Sequence, residues 1–270
     1  MPTATTATAA KKKPAAAKST KPPRPRLSLA VAMRELETAG SAQTRKTYTR
    51  HGATEPMFGV SFATLKTMTK RIDVDHELAH ALWNTGNFDA RNLAVKIVDP
   101  ARMSSADLDR WARETCSARM CGGYVGMLAA EGPHGAAKVV QWLASKDARE
   151  RDAGWSLLGQ FAQRDETMPN AFFEKRLAEI EKTIHTAANS ERDVMNRTVI
   201  AIGLRNAALR KAAVAAAKRI GTVDVDHGDT ACETPDAVES VAKAWANATA
   251  KGFESPAAHE RNRETPRRRC

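Results

Sequence analysis

The segment Val223-Asp-Val-Asp226-His227-Gly-Asp229-Thr-Ala-Cys232-Glu-Thr234-Pro235 gathers three Asp, a His and a Cys inside nine residues. Asp226 or Asp229 could supply a carboxylate for acid–base work, with His227 beside it as the proton acceptor or donor. Asp226, His227, Asp229 and Cys232 are also metal-ligand types. Their spacing matches no standard zinc motif, and neither a metal nor another cofactor is expected. A third reading is a loop that leads into the final helix, with Thr234 as N-cap, Pro235 as first helical residue and the acids near the positive helix end. All three stand on the sequence alone. A second group with chemistry in it is cationic. Arg91, Arg149, Arg151, Arg192 and Arg197 recur near helix starts and are candidates for a concave basic track that would meet phosphates.

The charge is unevenly placed. The chain carries 42 Lys and Arg against 31 Asp and Glu, a net +11. Residues 1–27 hold seven basic residues, among them Lys11, Lys12 and Lys13, and no acid, while residues 251–270 hold six basic residues and three Glu. The body between them, 28–250, is left at about +1, so several of its arginines must pair with acids. The N-terminal stretch of Ala, Thr, Lys and Pro cannot bury enough apolar surface to order itself, and it reads as a polycationic arm that contacts phosphates with weak sequence specificity. The C-terminal stretch reads as a second, shorter basic tail. No apolar run approaches the roughly 18–20 residues that cross a bilayer. The N-terminus lacks a secretory apolar region, and four scattered cysteines make no disulfide framework. The expectation is a soluble, monomeric protein of a reducing compartment, cytoplasmic and associated with the nucleoid, with no membrane partner.

The elements that position these residues are helices. From Leu27 onward apolar residues recur at three- and four-residue spacing with almost no β-branched runs. Ser61, Asp75, Ser104 or Ser105 and Asp147 are start signals; Gly86 and Asp99-Pro100 are stops. About twelve helices result, joined by short loops, with no room for a sheet. Trp83, Trp111, Trp142 and Trp155 lie on apolar faces and read as core, and His76 and His80, one turn apart, as a solvated face. Trp83-Asn-Thr-Gly-Asn-Phe-Asp89-Ala-Arg91 resembles Trp142-Leu-Ala-Ser-Lys-Asp147-Ala-Arg149. In each, an Asp should cap a helix and an Arg should project from its first turn. A repeated helix pair predicts an all-α solenoid of HEAT-like type, over residues 28–250.

Phe58-Gly-Val-Ser61, Trp83 to Ala94, Asp99-Pro100 and Leu108-Asp-Arg-Trp111, followed by Glu150 to Leu158, Ile202 to Asn206 and Lys218-Arg-Ile220, are similar in order and spacing to the bacterial DNA alkylation repair family. That family includes HEAT-like-repeat alkylpurine DNA glycosylases. The resemblance spans roughly residues 57–220. It implies a solenoid whose concave face cups duplex DNA, and hydrolytic release of N3- or N7-alkylated purines without flipping the base. A cationic base leaves readily, so one carboxylate and aromatic faces suffice to stabilise charge developing on the sugar. The sequence departs from that pattern where the chemistry sits. Ala118 stands where the family has a Trp, Gly122 where it has the catalytic Asp, and Arg197 near a second Trp; Arg151 matches the arginine that meets the DNA backbone. Residues 115–130 contain no carboxylate. Three expectations follow: excision through a relocated acid in the 226–229 loop, damage binding without chemistry, or a protein-interaction scaffold with no DNA role.

Overall fold

The computed structural model describes residues 26–54, 56–115 and 123–268. Among these are fourteen α-helices, two 3-10 turns and no strand, with one isolated bridge between Gly40 and Val60. The protein is an all-α, HEAT-like helical-repeat solenoid. Most start signals act as expected. Ser61 caps α3 (Phe62–Ile72), Asp75 caps α4 (His76–Asn84) and Ser104 caps α6 (Ser105–Arg113), each side chain accepting from the backbone N–H three residues on. Gly86, at φ +71°, ends α4.

Two helices precede these, α1 (Leu29–Ala39) and α2 (Ala42–Arg50); α5 (Phe88–Ile97) lies between α4 and α6. Then come α7 (Gly123–Glu131), α8 (Gly135–Leu143), α9 (Ala148–Arg164) and α10 (Asn170–Thr183). The series ends with α11 (Asn189–Gly203), α12 (Ala207–Ile220), α13 (Ala237–Ala250) and α14 (Pro256–Arg261). Helices touch their chain neighbours and next-but-one neighbours, α4 with α5, α7 with α9, α9 with α11 and α10 with α12. That is the contact pattern of stacked repeats. Close crossing needs small residues: a Cβ on Gly126 of α7 would stand 2.7 Å from the carbonyl oxygen of Ala153 in α9.

All four of these tryptophans are core, as is the fifth, Trp245. Trp83, Trp111 and Trp142 are fully buried and Trp155 nearly so. Trp83 and Trp111 stack face to face at 4.1 Å. Three indole N–H groups donate to carboxylates elsewhere in the solenoid: Trp83 to Glu114, Trp142 to Asp109 and Trp155 to Glu191. The side chain thus adds a charge-assisted bond to its buried area. His76 and His80 are not the solvated face their spacing suggests. Their rings lie 4.5 Å apart and His80 rests 5.3 Å from Trp111, with burial, then the neighbouring His76, lowering the His80 pKa.

The C-terminal stretch is a strap, not a tail. Ala257 N–H donates to Leu204 and Arg164 donates to the Glu260 carbonyl. Arg261 pairs with Glu166 at 3.1 Å, Arg267 with Glu131 at 2.8 Å and Arg268 with Asp73 at 2.7 Å. Arg267 is buried, donates to the Val95 carbonyl, and accepts on its own carbonyl from Lys96 Nζ at 3.0 Å. Arg261, Arg267 and Arg268, which made this stretch read as a free polycation, find fixed acids on the α9–α10 turn, on α7 and at the C-cap of α3. The strap therefore ties late helices to early ones.

Candidate nucleic-acid interface

A cleft of about 380 Å³ opens between α7, α9 and α11. Its lining includes Met127 of α7, Trp155, Ser156, Gly159, Gln160 and Gln163 of α9, and Asp193, Arg197 and Ala201 of α11; Cys232 and His51 complete the rim. Ser156, Gln160 and Gln163 form a polar stripe at i, i+4 and i+7 on a helix whose middle is otherwise buried. Ser156 donates to the Gly123 carbonyl and Thr198 to the Trp155 carbonyl, which fixes the three helices against each other.

The five arginines separate by what holds them. Arg91 donates to the carbonyls of Trp83 and Glu114 and lies 5.0 Å over the Trp83 ring, with a side chain only 17% exposed. Arg151 makes a bidentate pair with Glu191, at 2.9 and 3.0 Å, and donates to two carbonyls of the α8–α9 turn. That hydrogen-bonded pair raises the Arg151 pKa. Arg192 donates to the carbonyls of Asp224 and Ala187, tying the late loop to α11. Arg149 pairs with Asp147 and Arg197 with Asp193, yet their side chains stay 54% and 57% exposed. Only Arg197 of the five lines the cleft. Lys11, Lys12 and Lys13 lie outside the described residues, as do Ala118 and Gly122.

The late loop is built as a turn. Val223 and Val225 are buried and anchor it, and Asn189 brackets Asp226 with bonds to its N–H and carbonyl. The Asp226 carboxylate accepts from Gly228 N–H at 2.8 Å, and Gly228 takes φ +58°. His227 Nε2 meets the Thr234 hydroxyl at 2.9 Å. Thr234 is thus not the cap of the last repeat helix. Asp236 caps α13 instead, accepting from Glu239 N–H, because Thr234 is engaged by His227 and Pro235 offers its carbonyl to Asn196. Cys232 reaches the cleft; Asp226, His227 and Asp229 are not among the residues that line it. No group of three or more His, Cys, Asp or Glu among the described residues could hold a metal.

A set of acids goes unread in the sequence. Asp152 of α9 and Glu191 and Asp193 of α11 are all buried, and Asp193 lines the cleft. Burial pushes the Asp152 carboxyl up to about 7, helped by the neighbouring Glu191 and Asp193 and opposed by the Ser190 side chain and the Arg151 charge. Asp193 and Arg197 stand at i and i+4, a pattern indistinguishable in sequence from a surface ion pair.

An all-helical solenoid with a cleft between its central helices is the class of protein these residues build. The chain belongs to the DNA alkylation repair enzyme family, whose model matches residues 32–240. Uncharacterized proteins of Listeria monocytogenes and Listeria innocua are 27% and 26% identical to it over 217 residues, covering 78% of this chain and 94% of each relative. A solved structure superposes with a TM-score of 0.75 at 29% identity, over 84% of this chain and 96% of the other. That structure represents a family of proteins related to the HEAT-like repeat DNA glycosylases, with affinity for branched DNA structures. No helix among the described residues is long and apolar enough to cross a membrane.

Proposed function

We propose that this protein binds branched DNA, with the α7–α9–α11 cleft and its exposed Arg197 at the contact surface and the basic N-terminal residues adding non-specific affinity. The observation that carries the reading is the likeness, along nearly the whole of a solved structure, to a protein with that affinity. Arg197 supports it locally: a guanidinium more than half exposed at a cleft mouth, oriented by a buried Asp193, is placed for a phosphate. Excision by the family's usual carboxylate is not part of the reading, since the sequence from 115 to 130 has none. One observation favours excision as a second reading: Asp193 places a carboxylate in the cleft.

Affinity for a three-way junction and for a linear duplex of equal length, measured across a salt series, tests the binding reading. The junction should bind more tightly, and Arg197→Ala should weaken it and lower the salt slope by roughly 1. Equal affinity for the two DNAs, or junction binding untouched by Arg197→Ala, overturns the binding reading. For the second reading, N7-methylguanine DNA should release free base with the wild type and not with Asp193→Asn. Release lost instead in Asp226→Asn or Asp229→Asn moves the acid to the late loop.

A further inference from the structure

The cleft has features that phosphate contact does not use. At about 380 Å³ it lies inside the range of small-molecule pockets, roughly 300–1,000 Å³. Met127, Val194, Ala201 and the bare Cα of Gly159 give it apolar walls. Nearly every polar side chain around it is engaged: Ser156 with Gly123, Thr198 with Trp155, Trp155 with Glu191, and Asp193 with Arg197. Gln160 and Gln163 differ. Both are half-buried, both line the cleft, and neither amide has a hydrogen-bond partner among the described residues. Two free amides one helical turn apart present paired donors and acceptors, the complement of a nucleobase edge. The Asp193 carboxylate in the wall disfavours a phosphate inside, whereas Arg197 at the mouth favours one outside.

A base at a branch point has already lost its partner, so taking it from the stack costs least there. We propose that the cleft receives a single unpaired base of a branched DNA, its edge held by Gln160 and Gln163 and its flanking phosphate by Arg197. This rests on the branched-DNA reading above. It departs from what the family resemblance implies, in which bases are handled without being flipped.

The test uses the full chain and a three-way junction carrying 2-aminopurine at one unpaired branch position. Wild type should raise the 2-aminopurine fluorescence several-fold on binding as the base leaves its stack. Gly159→Leu should fill the cleft, since a Cβ there meets Ala201 at an ordinary 3.5 Å. It should lose the fluorescence change and weaken the junction with an unpaired base about tenfold, with a fully paired duplex bound as by the wild type. The double variant Gln160→Ala/Gln163→Ala, at half-buried positions without structural bonds, should weaken the junction with an unpaired base about tenfold and leave a fully paired duplex unchanged. It carries the test if Gly159→Leu fails to fold. Junction binding with unchanged fluorescence, or a double variant that behaves as wild type, overturns the base pocket and leaves the branched-DNA reading standing. Absence of junction binding overturns both.

Discussion

The tripeptide Asp-Ala-Arg opens two helices of this protein and does different work in each. At α9, Asp147 is the N-cap, accepting from Arg149 N–H at 2.9 Å, and Arg149 projects outward with a half-exposed side chain. At α5 the cap is Asn87, two residues earlier, which accepts from the N–H groups of Asp89 and Ala90. Asp89 has no solvent exposure and takes three backbone N–H bonds, from Phe58, Gly59 and Val60, at 2.7–2.9 Å. Arg91 turns inward onto Trp83. The expectation that each Asp caps and each Arg projects holds at Asp147 and fails at Asp89. The Phe58-Gly-Val-Ser61 motif supplies the reason. Gly59, at φ +81°, lets the loop curl around the carboxylate, and a Cβ there would stand 2.5 Å from the Ser41 carbonyl. Three converging donors outbid a local cap.

α9 carries its own buried acid one turn further on, and the contrast with Asp89 is in solvation. Asp89 is met by three N–H groups beside a positive helix end. Asp152 has the Ser190 side chain and an oxygen, Oδ1, with no hydrogen-bond partner among the described residues. Burial therefore wins at Asp152 and its carboxyl is pushed up to about 7.

The largest effect that would break the comparison is at Asp89. Asp89→Ala orphans three buried donors and should cost about 3–5 kcal/mol in urea unfolding, with Asp89→Asn recovering part of it. A loss near that of a single cap would refute the account. Next comes the pH dependence at Asp152. Between about 3.8 and about 7 the native carboxyl holds a proton that the unfolded chain has released, so stability falls as pH rises through that window. Asp152→Asn should flatten the difference between pH 4.5 and pH 8 by about 2–4 kcal/mol; an unchanged profile would place the proton elsewhere. The smallest effects sharpen the two arginines. Asp147→Ala should cost about 1 kcal/mol as a lost cap. Arg149→Ala should leave stability alone and lower the salt slope of DNA binding by up to about 1, whereas Arg91→Ala should lower the melting temperature and leave that slope unchanged.

Much of the fold was legible because its signals are local. Ser61, Asp75, Ser104 and Asp147 cap helices from within three residues, and the three- and four-residue apolar spacing put four tryptophans in the core. Thr234 misled because a cap competes with any other partner its hydroxyl can reach, and His227 lies within reach. The C-terminal arginines misled for a related reason. A run of basic residues is a free polycation unless acids are fixed at matching positions, and Glu131 and Glu166 are more than ninety residues away along the chain.

The sequence by itself determined most of the helices of residues 28–250, their order, the family and the absence of an acid from 115 to 130, though not α14, because propensity, capping and periodicity act over a few residues. The tertiary structure alone decided which arginines stay available and which are spent on Glu191 or Trp83. It also decided that Gln160 and Gln163 face an open cleft and that Asp89 and Asp152, both buried acids, meet such different surroundings. A side chain's charge is written in its type. Its partner, and hence its energy, depends on residues thirty to two hundred positions away that only packing brings within 3 Å.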